Sequence, residues 1–211
     1  MEAGAIEAVS TAMRAHAPNP KVGRWGCAAL RNLASTDACQ ERAAKAGAVE
    51  AVVAAMRDHA TTAIVQEAGC GAICRMATFS PNQGRLAKAG AVAATIEGLR
   101  SHLASPGVQR WGCVALQHLA ASEENRVRAV SGGGIETVVR GLQAHPSNPG
   151  LQDYGARVLA VLVVSPQERK LCADVGGPDA LRQAMVAFPQ NEGVQKRCSA
   201  ALQRISFTLT M

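Results

Sequence analysis

The sequence predicts an all-α solenoid, a stack of similar helical repeats, and three observations lead to this prediction. The stretch RWGCAALRNLA at 24–34 returns as RWGCVALQHLA at 110–120, and a weaker copy, EAGCGAICRMA, lies halfway between them at 67–77. Shorter glycine-led motifs recur at a constant interval of 43 residues, a period typical of stacked repeats. Hydrophobic residues make up 48% of the chain but aromatic residues only 3%, a composition that suits closely packed helices.

The middle helix of each predicted repeat begins directly after a glycine. The motifs GAI, GAV, GAV, GGI and GGP begin at positions 4, 47, 90, 133 and 176. Apolar residues then follow at helical spacing, as in Val49, Val52, Val53 and Met56. A polar or proline-containing turn closes several of these segments, so the sequence predicts a helix of medium length at each position.

The third helix is the longest and begins at a recurring capping position, whose side chains can accept hydrogen bonds from a first helical turn. These capping residues are Asn19, Thr62, Ser105, Asn148 and Asn191. The helices end near Ala34, Thr78, Ala121, Val164 and Ile205. Glycine lies inside four of them, at positions 26, 69, 112 and 155, where it lowers helix stability by about 1 kcal/mol relative to alanine. We therefore expect another backbone to press against that face.

A short helix comes first in each full repeat, and the predicted copies span 40–46, 82–89, 123–130 and 167–175. Serine followed by proline or glutamate marks the beginning of the last three. The sequence thus predicts fourteen helices in a single array over residues 1–211. Its predicted parts are a partial repeat at 1–35 and full repeats at 36–78, 79–121, 122–164 and 165–211.

This three-helix pattern resembles the armadillo repeat. Gly-Ala-Ile or Gly-Ala-Val at the beginning of the second helix and Ala-Leu-Arg-Asn-Leu-Ala at the end of the third carry the resemblance, which covers nearly the whole chain. HEAT repeats, the main alternative, have two helices and lack the glycine. The resemblance implies a right-handed superhelix whose third helices line a concave groove, and in importin alpha and beta-catenin such a groove holds an extended peptide.

The groove of those relatives has an asparagine ladder, and one rung of it is present here. Asn32 matches the ladder position, which later repeats fill with Arg75, His118, Val161 and Arg204. Importin alpha also has a tryptophan four residues before each asparagine, whereas this chain has Ala28, Gly71, Val114, Arg157 and Ala200. The sequence therefore predicts a groove that does not bind nuclear localisation signals.

Aromatic and basic residues lie two helical turns before the ladder position instead. This column holds Trp25, Ala68, Trp111, Tyr154 and Arg197, and arginines lie beside it. Aromatic and arginine side chains are enriched at binding hot spots, and they suit a peptide with acidic or aromatic residues. The predicted partner-binding residues are Arg24, Trp25, Asn32, Arg75, Arg110, Trp111, His118, Tyr154, Arg157 and Arg197.

Three other interpretations remain open. The tryptophans could pack between neighbouring long helices with the arginines solvated. The array could act through its ends, as a self-associating structural protein or as a piece of a longer solenoid, because 1–14 carries no polar cap and 205–211 is apolar. Nucleic-acid binding is a weaker third alternative, since the net charge of +6 is moderate and Glu67 and Asp153 interrupt the basic column.

No catalytic motif, metal site or cofactor site is predicted. HExxH, P-loop and GxSxG motifs are absent from the sequence. Four histidines, at 16, 59, 102 and 145, share one repeat position, where we expect interactions with a helix C-terminus. The seven cysteines are expected to be small buried thiols in a reducing compartment. With no secretory leader and no apolar run long enough for a membrane, the prediction is a cytoplasmic protein, with the nucleus as the alternative.

Overall fold

The protein is built from fourteen α-helices in the part of the chain that the structure describes. A computed structural model describes residues 4–206, of which 81% are helical and none is in a strand. The predicted all-α class is therefore confirmed. The repeat boundaries given above remain predictions. The parts of the predicted ends at Met1–Ala3 and 207–211 lie outside the described residues.

The helices follow the predicted order of short, medium and long. The short helices are α3 (Asp37–Lys45), α6 (Gln83–Ala89), α9 (Glu123–Ser131) and α12 (Pro166–Asp174), and a 3₁₀ turn at Ser80–Asn82 precedes α6. The medium helices are α1 (Ala5–Ala15), α4 (Ala48–Asp58), α7 (Ala91–Ser101), α10 (Gly134–Ala144) and α13 (Gly177–Ala187). The long helices are α2 (Pro20–Leu33), α5 (Ala63–Ala77), α8 (Pro106–Leu119), α11 (Pro149–Leu162) and α14 (Glu192–Ser206).

Local signals place the ends of these helices. The glycine before each medium helix has a left-handed backbone, with φ of 72° at Gly47 and 83° at Gly176, a conformation that other residues rarely adopt. Asn148 caps α11 by accepting a hydrogen bond from the amide of Leu151 at 3.1 Å. Ser105, Asn19 and Asn191 act in the same way, whereas Thr62 forms no side-chain cap.

The stack consists of two main layers. Each long helix packs against the long helix of the next repeat, in the order α2, α5, α8, α11, α14, and the medium helices form a parallel series. The core between them is made of aliphatic side chains such as Leu30, Ile73 and Leu116. None of the helices in residues 4–206 is long and apolar enough to cross a bilayer.

The glycines inside the long helices accommodate a side chain, not the neighbouring backbone that we expected. A β-carbon at Gly26 or Gly69 would overlap Met13 or Met56 of the medium helix in the same repeat, and one at Gly112 would overlap Leu99. The expectation of a close backbone is therefore wrong. The physical reason is that the medium helix points a large apolar side chain into the notch that each glycine leaves.

The histidine column links neighbouring repeats. The Nε2 atom of His59 lies 2.8 Å from the carbonyl oxygen of Ala17, and His102 and His145 form the same contact with Ala60 and Leu103, each at 2.7 Å. Each imidazole thus contacts the second residue after the medium helix of the preceding repeat. The contact is therefore made with the turn that follows a neighbouring helix, and the expected interaction with a helix C-terminus stays a prediction.

Candidate binding groove

The surface of the long-helix layer contains a pocket that three helices build together. Its volume is about 400 Å³, and we call it the Arg31–Arg75 pocket. It is lined by side chains of α2, α5 and α8, and by Thr78 directly after α5. The lining residues are Arg31, Asn32, Gly71, Cys74, Arg75, Thr78, Trp111 and His118. The pocket therefore brings together four of the predicted binding residues, namely Asn32, Arg75, Trp111 and His118.

Gly71 gives this pocket its shape. A β-carbon at Gly71 would lie 3.2 Å from Cδ of Arg31 and 3.8 Å from Cδ2 of Trp111. Because the glycine leaves this space, Arg31 from α2 and Trp111 from α8 meet above α5. The Arg31 guanidinium lies 5.3 Å from the centroid of the Trp111 ring, a distance within cation–π range.

Trp111 is half-buried and is the main aromatic wall of the pocket. It packs against the core, so the interpretation of the tryptophans as packing residues describes part of its surface. The guanidinium of Arg110 lies 5.7 Å from the same ring, which places two arginines beside one indole. Trp111 therefore packs against the core with one part of its surface and lines the pocket with another.

The cations in this pocket have no acidic partner. Neither Arg31 nor Arg75 forms an ion pair with any of residues 4–206. Burial raises the pKa of the Cys74 thiol to about 11, while Arg75 and Arg31 act in the opposite direction. Partial burial lowers the pKa of His118, and Arg75 lowers it further. The electrostatic environment of the pocket is thus positive.

A second group of predicted residues lies further along the layer, on α11 and α14, and we call it the Asp153 cluster. The Asp153 carboxylate forms an ion pair with Nη2 of Arg157 at 2.8 Å and lies 3.9 Å from Nε of Arg197. Its side chain is only 15% exposed. The ring of Tyr154 lies 5.2 Å from the Arg157 guanidinium. The cluster therefore resembles the first pocket in composition, but its positive charge is partly neutralised.

Trp25 and Arg24 lie apart from both groups. Trp25 is 61% exposed and lines an apolar surface with Val9, Ala12, Val22 and Ala29, which we call the end face. The Arg24 guanidinium lies 4.5 Å from the Trp25 ring centroid. Trp25 therefore lines a different surface from Trp111, and its role in partner binding stays a prediction.

Four lining residues of the pocket were not among the predicted binding residues, and two of them, Arg31 and Gly71, determine its shape. Arg31 precedes the asparagine column, and Gly71 lies at the position where importin alpha has tryptophan. Both were visible in the sequence, but their role depends on contacts between helices of different repeats. One sequence signal could have identified them: Gly71 has no side chain in a column where the other repeats have one, and Arg31 lies in the preceding repeat.

The cysteines and the possible metal ligands form no further candidate site among residues 4–206. All seven cysteines are free thiols, and burial raises the pKa of Cys27 and Cys113 to about 12. Within residues 4–206 no three histidine, cysteine or acidic side chains converge on a point where they could hold a metal ion.

Comparison with known proteins identifies the fold. The chain is similar to an engineered protein of the Northeast Structural Genomics Consortium, with a TM-score of 0.80 and 25% identity over 97% of this chain. It spans about half, 48%, of that protein. A second engineered protein of the same consortium gives a TM-score of 0.64 at 20% identity, over 95% of this chain and 96% of that one.

A natural protein has the same architecture. The armadillo repeats only protein of Plasmodium falciparum gives a TM-score of 0.72 at 14% identity, over 88% of this chain and 80% of that one. No protein-family model matches the chain, and no curated protein matches it in sequence. These likenesses show that the chain has an armadillo-like repeat fold, which confirms the resemblance drawn from its sequence.

Proposed function

We propose that this protein is an interaction scaffold whose long-helix layer binds an extended peptide segment of a protein partner. The observation that carries the proposal is the Arg31–Arg75 pocket, which the half-buried Trp111 lines and where neither arginine forms an ion pair with any of residues 4–206. Carboxylates and phosphates form strong charge-assisted hydrogen bonds with arginine, and aromatic side chains supply apolar contact. The partner segment is therefore acidic or aromatic in character.

The fold supports this proposal by analogy only. Repeat solenoids of this architecture present extended surfaces on which a partner can lie, but one fold serves many functions. We infer a binding role without catalysis and without a cofactor. Seven free thiols suit a reducing compartment, so we place the protein in the cytoplasm, with the nucleus as the alternative.

A peptide-display screen tests the proposal. We expect acidic or aromatic peptides to bind the wild-type chain and to bind Trp111→Ala at least about tenfold more weakly, because a truncated hot-spot aromatic costs about 2 kcal/mol or more. Trp25→Ala is the matched control, since Trp25 lies on the end face and not in the pocket. Circular dichroism must show that both variants are folded. A screen that selects no peptide, or losses that are equal in both variants, would contradict the proposal.

A second candidate function is self-association through the end face. In the next three repeats, the positions equivalent to Val22 are the buried residues Val65, Val108 and Leu151. Trp25 is exposed where Trp111 and Tyr154 are half-buried. Light scattering over a range of concentrations tests this candidate. A monomer at all concentrations, unchanged by Trp25→Ala, would contradict it.

A further inference from the structure

The Arg31–Arg75 pocket carries more positive charge than a single carboxylate can neutralise. Two guanidiniums reach it from different helices, α2 and α5, and no acidic side chain lines it. Arg31 is oriented by its contact with Trp111 and by the space above Gly71. Preorganised arginines from two elements can surround one ligand group, since each guanidinium presents donors in a rigid fork.

We propose that this pocket binds the phosphate group of a phosphorylated side chain within the bound peptide. The inference rests on the proposed function and deepens it. A phosphomonoester carries about 1.5 to 2 negative charges at pH 7 and three acceptor oxygens, which matches two unpaired arginines. A carboxylate would leave about one of these charges uncompensated. Recognition of phosphorylated motifs by arginine clusters is an established mode of peptide binding.

The other polar groups of the pocket are compatible with a phosphate. Asn32 is exposed and provides an amide donor at the rim, and His118 provides a ring N–H when its imidazole is neutral. The Thr78 hydroxyl is already engaged, because it donates to the carbonyl oxygen of Arg75 at 2.7 Å. The donors that remain free are therefore those of Arg31, Arg75, Asn32 and His118.

The arrangement favours a phosphopeptide over a nucleic acid. A nucleic-acid strand needs successive cationic contacts along its backbone. Further along the layer, Arg157 is paired with Asp153, and Arg204 donates to the carbonyl oxygen of Ala160 at 2.7 Å. Arg31 and Arg75 thus meet in one pocket, whereas Arg157 and Arg204 further along the layer are already engaged, and this arrangement suits one phosphate within a peptide.

Tryptophan NMR signals provide the first test. The chain has two tryptophans, so its indole N–H groups give two signals, which Trp25→Phe and Trp111→Phe assign. Titrating the full chain with blocked phosphoserine should shift the Trp111 signal at a concentration at least tenfold lower than blocked glutamate requires. The Trp25 signal should not move. Equal responses to both compounds, or equal shifts of both signals, would overturn the inference.

Matched peptides provide the second test. Each peptide of an array carries phosphoserine, serine or glutamate at one fixed position, and binding to the full chain is measured by fluorescence polarisation. We expect a preference for phosphoserine of about tenfold over glutamate, because dianionic groups form the stronger charge-assisted bonds. The double variant Arg31→Gln/Arg75→Gln should lose this preference. The control Arg157→Gln/Arg197→Gln, in the Asp153 cluster, should keep it.

The outcomes separate this inference from the proposed function. If serine, glutamate and phosphoserine peptides bind equally, the phosphate inference fails and peptide binding stands. If no peptide of the array binds, both fail. Tighter binding of inorganic phosphate or of a single-stranded oligonucleotide than of any phosphopeptide would also overturn the inference. Arg31→Lys/Arg75→Lys keeps the charges without the guanidinium forks, and it should show an intermediate preference for phosphoserine. This variant replaces the glutamine variant in the test if the glutamine variant is poorly folded.

Discussion

The Arg31–Arg75 pocket and the Asp153 cluster lie on the same layer of helices and contain the same kinds of side chain, yet their charges differ. In the pocket, Arg31 and Arg75 line the same space as Trp111 and form no ion pair with any of residues 4–206. In the cluster, Arg157 beside Tyr154 is held by Asp153 at 2.8 Å. The two regions therefore contain similar side chains but differ in how their arginines are paired.

The two regions differ in the residue that lies four positions after an acidic side chain on the long helix. Asp153 on α11 has Arg157 four residues later, and residues at that spacing are neighbours on a helix surface. Glu67 occupies the equivalent position on α5, but four residues after it lies Gly71, which has no side chain to pair. The Glu67 carboxylate instead lies against Gly107 at the beginning of α8. Gly71 thus opens the pocket, and the Glu67 carboxylate lies at Gly107, outside the lining of the pocket.

Filling the pocket should have the largest effect. Gly71→Leu would place a side chain between Arg31 and Trp111, and we expect peptide affinity to fall at least about tenfold, which corresponds to 1.4 kcal/mol. Calorimetric titration measures the change. Ala28→Leu, at the same position of α2, is the control and should bind as wild type. Equal affinity of wild type and Gly71→Leu would show that the peptide does not enter this pocket.

Releasing the cations of the Asp153 cluster should have a smaller effect in the opposite direction. Asp153→Asn removes the carboxylate that engages Arg157 and Arg197, so affinity for acidic peptides should rise about threefold to tenfold and depend more steeply on salt. The free energy of unfolding should fall by about 1 kcal/mol, since the pair is only partly exposed. Fluorescence titrations at several salt concentrations measure the affinity and its dependence on salt.

The control for this variant makes the same substitution in an exposed pair. Asp179 pairs with Arg182 at 2.8 Å, and its side chain is 75% exposed, so Asp179→Asn should change neither affinity nor stability appreciably. If Asp153→Asn left peptide affinity and its salt dependence unchanged, the pairing of Arg157 and Arg197 would not explain the difference between the two regions.

Acidification should have the smallest effect, and only at the Arg31–Arg75 pocket. The pKa of His118 is below its ordinary value of 6.5 because of burial and Arg75, so the imidazole resists protonation in the free protein. An acidic ligand favours the protonated form, so affinity for a glutamate-containing peptide should rise as pH falls below about 6.5. The same lowered pKa makes the folded state lose stability in that pH range.

His118→Gln isolates this contribution, because the chain has four other histidines. The variant should bind glutamate-containing peptides with an affinity that changes less between pH 7 and pH 5.5 than that of wild type. A phosphopeptide is unsuitable here, since its own second ionisation lies near pH 6. An identical pH profile for wild type and variant would remove His118 from the binding site.

The sequence was sufficient for the fold because the signals that determine it are local. The glycines before the medium helices and the caps of the long helices act within a few residues, and a constant period repeats them. The partner of a buried glycine is not a local property. Gly112 therefore led to the prediction of a close backbone, whereas the side chain of Leu99 makes the contact.

The candidate site was only partly predictable for the same reason. The repeat columns placed Trp111, Asn32 and Arg75 on one layer of helices, and the structure brings them together. Two facts depended on geometry between repeats: Arg31 reaches Trp111 across Gly71, and Asp153 approaches Arg197 of the next long helix. The spacing of four residues on α11 predicts that Arg157 pairs with Asp153, but no pattern within one helix shows whether another helix supplies an acidic partner to Arg31 or Arg75.

A crystal structure of the chain with a peptide selected in the display screen would test the central claim most directly. We predict an acidic or phosphorylated side chain of the peptide between α2, α5 and α8, with oxygen atoms about 2.7–2.9 Å from the guanidinium nitrogens of Arg31 and Arg75. A peptide bound over the Asp153 cluster or on the end face, with the Arg31–Arg75 pocket empty, would contradict the claim that unpaired cations define the binding surface.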